Sequence, residues 1–281
     1  MTVFSLAAQP DDAADWAGLA RRVEAAGFDT LYVPDHPGTC ASPFVALAAA
    51  AAVTSTLRLG SYVVNAGVRE PIHIASDVAT LDVVSGGRAV LGIGAGHTPA
   101  EWAAVGRVRP DVRGRVDHFI AVTEATVRML GGEGLTKPRP VQERVPLLFG
   151  GGNTRLLRWA AKNADMIGLT GLGRTLEDGH GHTARWRVAE VDAQVELSGG
   201  VPLEALVQRF EITEDAGASY AAWADEIDGA GVDDLVLCPY AIAGTESEVR
   251  AKLADLESRW GVSRFTVRRT ALDAVARLLQ G

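Results

Sequence analysis

Short apolar runs alternate with stretches of helical periodicity along the first 170 residues, and this alternation restricts the fold more than any other feature of the chain. The runs lack a clean apolar–polar alternation, which is typical of parallel strands covered on both faces. Strand–helix repeats at this spacing predict a mostly parallel sheet of the α/β class. The six predicted strands are Val3–Ala8, Thr30–Val33, Leu57–Val64, Ala89–Ile93, Val145–Phe149 and Asp165–Leu169.

Helical periodicity and end signals separate these strands. Ser42 and Pro43 suit the N-cap and first turn of one helix, and Gly27 suits the end of another. The predicted helices are Asp11–Ala26, Ser42 to about Val53, Ile72–Val83, Val116–Leu130 and Arg155–Ala164, with a polar loop over His97–Gly114.

A seventh strand is predicted at Val188–Leu197 and an eighth at Arg264–Val267, before a last helix over Ala271–Leu279. Eight units in 281 residues predict a single-domain (β/α)8 TIM barrel over residues 1–281. Gly171–His182 is predicted to be an aperiodic, mobile loop over the barrel mouth. Leu235–Tyr240 is a strand-like run that eight units do not need, so either it lies beside the barrel or the choice of strand seven is wrong.

Composition excludes several function classes. The net charge is −8 without a basic block, which argues against a nucleic-acid partner. Cys40 and Cys238 are isolated, so neither a disulfide framework nor a cysteine metal site is expected. The apolar run Ala46–Val53 is too short to span a bilayer, and no signal sequence is recognised. A cytoplasmic, soluble protein is therefore expected.

The carboxyl ends of the strands are where such barrels place their active sites. Glycines are frequent there, and the lack of Cβ atoms lets a planar ring approach the backbone. The residues at these ends are Asp35-His36, Asn65-Ala66-Gly67, Gly94-Ala95-Gly96-His97 and Gly150-Gly151-Gly152-Asn153.

The end of strand five has the pattern of an anion site. Gly150–Gly152 allow a turn, and Asn153 or Thr154 can cap the following helix, whose free N–H groups favour a phosphate. Arg155 and Arg158 are candidates for added positive charge. A glycine-rich turn with nothing bound is the structural alternative.

Two histidines suit proton transfer. His36 lies between two prolines at a strand end, where it can also contact a cofactor ring, while Asp35 either joins it or braces the turn. His97 is a candidate proton donor or acceptor, and the alternative is that it is a solvent-facing loop residue without a chemical role. Glu101 is a weaker candidate for the same proton transfer.

Other polar residues are interpreted as structural. Arg69, Asp82, Ser85 and Arg88 belong to this group, and Asp82 is expected to pair with Arg88. His180 and His182 are too few for a zinc site, so no metal is predicted. The glycines at 92, 94 and 96 do not match the dinucleotide-binding fingerprint, because no helix opens there.

Taken together, these motifs resemble the bacterial-luciferase-like monooxygenase superfamily, and within it the actinobacterial branch of coenzyme F-420 (deazaflavin) dependent oxidoreductases. The resemblance covers nearly the whole chain. Its pieces are EAAGFDTLYVPDH (24–36), an RxP followed by ATLDVVSGGRAVLGIGAG (69–96), LLFGGGNTRLLRWAAKNADMIGL (147–169) and GVSRFTVRRTALDAVARLL (261–279).

The resemblance implies a TIM barrel that binds coenzyme F-420, or alternatively FMN, and transfers hydride between the cofactor C5 and a small organic substrate. It implies that His36 contacts the ring, that Gly150–Gly152 bind its phosphate, and that Asn65–Gly67 form a bulge behind the ring, where relatives often have a cis peptide. Family members often dimerise, so a homodimer is also expected.

One position departs from the family pattern. Sugar-phosphate dehydrogenases of the superfamily have a catalytic Glu directly after the strand-four glycines, where this chain has His97. That argues against the sugar-phosphate reaction. Three hypotheses follow: an F-420-dependent oxidoreductase, an FMN-dependent monooxygenase, and a barrel without redox chemistry that serves as a binding protein.

Overall fold

The computed structural model describes residues 2–10, 13–135, 137–176, 181–227 and 229–280, with no side chains described for residues 13–15. These residues form two compact units, residues 7–150 and residues 2–6 with 151–280. The predicted single domain remains a prediction, and each unit is described by itself.

The first unit alternates strand and helix. Its strands are β2 (Thr30–Val33), β3 (Arg58–Ser61), β4 (Val64–Asn65), β5 (Ala89–Gly94) and β6 (Leu147–Gly150). Its helices are α1 (Ala13–Ala25), α2 (Pro43–Ala51), α3 (Pro71–Ser85), α4 (Pro99–Ala104) and α5 (Val112–Leu130). The predicted start of α1 at Asp11 lies outside the described residues.

Parallel pairing joins β2 to β3, β3 and β4 to β5, and β5 to β6. The core of this unit includes Phe119 of α5 and Phe149 of β6, which are both buried and whose rings meet edge-on with centroids 5.5 Å apart. Because parallel strands point the same way, the ends of β2, β4 and β5 face one edge of this unit, as the sequence predicted.

The second unit contains β1 (Val3–Ala7), which begins in it, and two further groups of elements. Its strands are β7 (Met166–Leu169), β8 (Leu172–Thr175), β9 (His182–Ala184), β10 (Leu203–Leu206), β11 (Arg209–Ile212), β12 (Ala241–Gly244) and β13 (Val262–Arg268). Its helices are α6 (Thr154–Asn163), α7 (Val188–Leu197), α8 (Ala216–Glu226), α9 (Val232–Leu237), α10 (Glu246–Trp260) and α11 (Leu272–Gln280). The sheet order within it is β1-β13-β10-β7.

The predicted strand seven is wrong. Val188–Leu197 is the helix α7, and the strand is β10, Leu203–Leu206, which pairs in parallel with β7 and β13. The valines at 188, 191 and 195 recur at helical spacing, and Val191 and Gln194 are the buried residues of α7. The helical spacing of these residues therefore outweighs the strand propensity of valine.

The other uncertain run also forms a helix. Within Leu235–Tyr240, the residues up to Leu237 belong to α9, so neither a strand beside the barrel nor a barrel strand is present there. Asp233 and Asp234 lie in its first turn, where acidic side chains favour a helix, and the Asp234 carboxylate accepts from the Gly231 N–H at 3.1 Å. Between β10 and β13, the chain contributes β11 and β12, a parallel pair that the sequence did not indicate.

Three smaller predictions are corrected. The run Leu57–Val64 is divided into β3 and β4, the loop His97–Gly114 contains α4 and the start of α5, and the loop Gly171–His182 contributes to an antiparallel pair, β8 with β9. Asp82 and Arg88 have separate partners: the Asp82 carboxylate accepts from the Val141 and Gln142 N–H groups, and Arg88 donates to carbonyls that include Leu57.

Candidate functional site

Asp35 follows β2 directly and is held from two directions. Its carboxylate accepts two hydrogen bonds from the Arg69 guanidinium, at 2.7 and 2.8 Å, and one from the Asn65 N–H at 3.0 Å. Only 3% of Asp35 is exposed, so the bidentate ion pair offsets the cost of burying its charge. Asp35 thus joins the ends of β2 and β4 and fixes the backbone before His36.

His36 contacts a buried carboxylate. Its Nδ1 lies 2.7 Å from Oε1 of Glu101, and the two side chains are 36% and 4% exposed, respectively. Glu101 is supplied by α4, which begins at Pro99. The pair therefore consists of an accessible imidazole backed by an enclosed carboxylate.

Both polar atoms of the Asn65 side-chain amide form hydrogen bonds within the protein. Its Oδ1 accepts from the Gly67 N–H at 2.8 Å, and its Nδ2 donates to Oε2 of Glu101. The predicted cofactor residue Asn65 is therefore placed where its side chain orients Glu101.

The surroundings of Glu101 keep it ionised. Burial alone would raise its pKa, but the hydrogen bonds with His36 and Asn65 and the charge interactions with His36 and His97 outweigh this, so the pKa lies below its usual value. Four contributions from three neighbours thus favour the carboxylate form.

His97 lies beside His36. The ring centroids are 5.3 Å apart and the rings meet nearly edge-on, at 69°. His97 is half-buried and follows the glycines at the end of β5. The structure thus brings together both histidines that the sequence selected, and Glu101 contacts one of them, His36.

The strand-end glycines lie against protein side chains. A Cβ atom on Gly67 would come within 2.2 Å of the Trp102 ring, and one on Gly96 within 2.0 Å of the Asn65 Oδ1. A Cβ on Gly94 would come within 2.6 Å of Val63. Close packing inside the unit is sufficient to require glycine at these three positions.

The alanines next to these glycines carry backbone contacts. The Ala66 N–H donates to the Gly94 carbonyl at 3.0 Å, and the Ala66 carbonyl lies 3.1 Å from His118 Nε2. Ala95 is half-buried. The non-proline cis peptide expected at Asn65–Gly67 is found instead at Tyr62–Val63, between β3 and β4.

The turn Gly150–Gly152 ends β6 and leads into α6. Asn153 is the N-cap predicted for this helix, and its Oδ1 accepts from the N–H groups of Arg155 and Leu156, at 3.0 and 3.2 Å. In the second unit, the Arg185 guanidinium donates to the Gly152 carbonyl at 2.8 Å. Asn153 therefore occupies two N–H groups of the first turn of α6, and the Arg185 guanidinium, which also lies 3.7 Å from the Glu190 carboxylate, brings a positive charge to the turn. The helix dipole and this cation favour an anion there.

Sequence reasoning assigned no functional role to three residues of these arrangements, Arg69, Trp102 and Arg185, and ranked a fourth, Glu101, too low. Glu101 was ranked below His97. Arg69 was interpreted as structural, although a buried aspartate needs a cation as partner, and this requirement could have indicated Arg69. Trp102 and Arg185 carried no signal, because their roles depend on contacts with distant glycines. Arg155 and Arg158, the cations proposed for the turn, are both exposed on α6.

Across the part of the chain that the structure describes, no three His, Cys, Asp or Glu side chains converge as metal ligands would. His180 lies outside the described residues, and His182 is in β9. None of the described helices combines the length and apolar character needed to cross a membrane.

Comparison with protein families gives a match to the luciferase-like monooxygenase model over residues 2–203. The chain belongs to this family. An uncharacterised protein of Mycobacterium bovis is 32% identical over 183 residues, which is 53% of this chain and 65% of that protein. The 5,10-methylenetetrahydromethanopterin reductase of Methanopyrus kandleri is 38% identical over 94 residues, 33% of this chain and 27% of that protein. The chain thus matches less than two thirds of the length of each.

Solved structures extend the likeness to the whole fold. Monooxygenase RslO1 from Streptomyces bottropensis has a TM-score of 0.73 at 20% identity, with 99% of this chain and 96% of that chain covered. The coenzyme F-420-dependent tetrahydromethanopterin reductase of Methanopyrus kandleri has a TM-score of 0.70 at 21% identity, with 99% and 97% covered. These likenesses confirm the predicted α/β class and luciferase-like (β/α)8 TIM barrel.

A third structure uses the other cofactor. The oxygenating component of 3,6-diketocamphane monooxygenase from Pseudomonas putida, in complex with FMN, has a TM-score of 0.69 at 15% identity, with 100% of this chain and 95% of that chain covered. Both a deazaflavin-dependent and an FMN-binding protein therefore share the fold, and the fold alone does not separate the two cofactors.

Proposed function

We propose that this chain is an oxidoreductase of the flavin- or deazaflavin-dependent kind, that its cofactor is coenzyme F-420, and that its substrate is a small organic molecule. We also propose that the protein is a homodimer. The observation that carries the proposal is the pair formed by the accessible His36 and the buried, ionised Glu101. A histidine held in this way at a strand end of a luciferase-like barrel is suited to proton transfer, which accompanies hydride chemistry.

The residues that follow β6 in the second unit fit the phosphate of a cofactor. The Gly150–Gly152 turn, the capped start of α6 and the Arg185 cation suit the phosphate, because an anion is favoured by both the helix dipole and the guanidinium. The glycine-bearing segments Asn65–Gly67 and Gly94–Gly96 are assigned to the ring. When bound, a deazaflavin supplies a carbon, C5, that accepts or donates hydride.

The protein's own groups would handle the proton. His36 presents its exposed edge to the ligand while Glu101 holds the opposite side of the ring. His97, 5.3 Å away between centroids, is the second group that can give or take a proton at the reacting carbon. Asp35 stays paired with Arg69 and acts on the backbone that carries His36.

FMN-dependent monooxygenase chemistry is the second candidate. It is supported by the description of the matching family and by the FMN complex among the structural neighbours. Such an enzyme consumes oxygen with reduced FMN, which a hydride-transferring F-420 enzyme does not require.

Titration of the purified protein with coenzyme F-420 and, separately, FMN tests the proposal. Binding is followed through the fluorescence of each cofactor and of tryptophan. Tight binding of F-420 alone is the expected result. Preference for FMN, with oxygen consumption by the reduced complex, would replace the proposal by the monooxygenase, and binding of neither would favour the binding protein without redox chemistry.

A further inference from the structure

A series of hydrogen bonds runs from the backbone to the accessible edge of His36. The Gly67 N–H donates to Asn65 Oδ1, Asn65 Nδ2 donates to Glu101 Oε2, and Glu101 Oε1 lies 2.7 Å from His36 Nδ1. Gly67, Asn65 and Glu101 are buried, and only His36 reaches solvent. The series is therefore anchored at its buried end and free at its exposed end.

The chemistry of each group fixes the direction of every bond. A backbone N–H can only donate, so the atom of Asn65 that faces Gly67 is the amide oxygen. Its NH2 group consequently faces Glu101 and occupies one carboxylate oxygen as a donor. A carboxyl group is more acidic than an imidazolium ion, so the hydrogen between Glu101 Oε1 and His36 Nδ1 belongs to His36. Glu101 is then an ionised carboxylate, which can only accept.

The remaining bond determines the tautomer of His36. Because Glu101 Oε1 accepts, His36 Nδ1 must carry a hydrogen, and in the neutral imidazole Nε2 then holds the lone pair. We infer that Glu101 is a positioning residue, which fixes His36 as the Nδ1–H tautomer so that Nε2 is the proton acceptor of this site. This inference rests on the proposed function for the reaction but not for the tautomer.

The assignment gives the proton a defined route. A bound cofactor would supply the hydride acceptor for a two-electron oxidation of the substrate. The O–H or N–H bond on the reacting carbon would break as the C=O or C=N bond forms, its proton would bond to Nε2, and the neutral imidazole would become imidazolium. The positive charge then forms beside ionised Glu101, which stabilises it, and the reverse reaction returns the proton from Nε2.

Other charged groups near His36 do not compete for Nδ1. Asp35 is next to it in the chain, but its carboxylate is taken by Arg69 and by the Asn65 N–H. His97 faces His36 edge-on and is not an anion. The negative charge in contact with the His36 ring is therefore that of Glu101.

Nitrogen-15 NMR of the histidine-labelled protein without cofactor tests the inference. Long-range correlations distinguish Nδ1–H from Nε2–H imidazoles, and a His36→Gln variant assigns the signal. We expect the Nδ1–H pattern for His36 at a pH where the ring is neutral. An Nε2–H pattern in the unmodified protein would overturn the inference, and this measurement needs no variant that must fold.

Two substitutions test whether Glu101 itself, and not the loss of any carboxylate, determines the tautomer of His36. Glu101→Gln is expected to convert the His36 signal to a mixture of tautomers while the dissociation constant of the bound cofactor changes less than about twofold. Glu133→Gln, in an exposed pair with Arg128, is the matched control and should leave the tautomer unchanged. An unaltered His36 tautomer in Glu101→Gln would contradict the role of Glu101. Failure to bind either cofactor would contradict the proposed function and leave the tautomer result standing.

Discussion

The Arg69 guanidinium binds the Asp35 carboxylate with one hydrogen bond to each oxygen, and the residue that follows Asp35 is His36. The same carboxylate accepts from the Asn65 N–H. One ion pair therefore holds the backbone on both sides of the site, at the ends of β2 and β4. Its loss should affect folding as well as function.

Arg69→Met is expected to destabilise the protein by about 3–5 kcal/mol, because it leaves the buried Asp35 charge without its cation. Urea denaturation measures this. The double variant Arg69→Met with Asp35→Asn should lose less than the sum of the two single changes. Strict additivity would contradict the coupling, and Arg128→Met, in an exposed ion pair, should change stability by less than about 1 kcal/mol.

Gly151→Asp is expected to abolish cofactor binding, since it puts a negative charge where the phosphate is proposed to bind. The fluorescence titration with F-420 and FMN measures the effect. Gly151→Asn is the matched control, because it places an uncharged side chain of similar size on the same backbone, where φ is +151° and any side chain is strained. Retained affinity in Gly151→Asp would remove the phosphate from this turn.

His97→Ala is expected to lower turnover by about 10²-fold or more, the usual contribution of a general acid or base, while cofactor affinity stays nearly unchanged. Steady-state kinetics and the cofactor titration give the two values. An unchanged rate would exclude His97 from the mechanism, whereas a parallel loss of cofactor affinity would make it a binding residue.

Glu24 makes stability depend on pH. Burial opposes its charge, but hydrogen bonds from the Ser55, Thr56 and Leu57 N–H groups and the Thr56 hydroxyl prevail and lower its pKa to about 2. A carboxyl with a depressed pKa in the folded state stabilises the protein above its unfolded pKa of about 4.3, and this contribution is lost as the pH falls toward 2.

Glu24→Gln should therefore be less stable than the unmodified protein at pH 7, by about 1 kcal/mol for an exposed cluster of hydrogen bonds, with the difference disappearing near pH 2. Urea denaturation at pH 7, 4 and 3 measures it. A difference that is constant across this range would contradict the assignment.

Gly67→Ala is expected to cost about 1–3 kcal/mol, because its methyl group would overlap the Trp102 ring. Gly18→Ala is the matched control: Gly18 lies inside α1 with nothing within 4 Å of a built Cβ, so alanine should stabilise the protein by about 0.5–1 kcal/mol. Thermal or urea denaturation should give changes of opposite sign, and equal signs would contradict the packing argument.

The sequence predicted the barrel units up to residue 169 closely, because each strand there ends in glycine or polar residues and each helix has clear end signals. It failed at Val188–Leu197, where valines at helical spacing were given too much weight as strand formers. It also gave no assignment for α8, α10 or β11, although Thr245 and Glu248 form a capping box at the start of α10 and Gly261 ends that helix.

The sequence predicted that certain candidate residues lie close together, but it did not predict which side chains they contact. His36, Asn65 and His97 were found because residues at the ends of parallel strands meet. The hydrogen bond between His36 and Glu101 joins residues 65 positions apart, and Glu101 lies in α4, where the sequence predicted a polar loop and no helix. Contacts of this kind follow from packing and leave no local pattern.

Trp102 and Gly67 are complementary in size, since the indole occupies the volume that any side chain at position 67 would need. The two positions should consequently co-vary among homologous sequences, with a side chain at the first accompanied by a smaller residue at the second. Enlarging the cavity behind the Asn65–Gly67 turn by protein engineering would then require a change at Trp102, because Gly67 has no atoms left to remove.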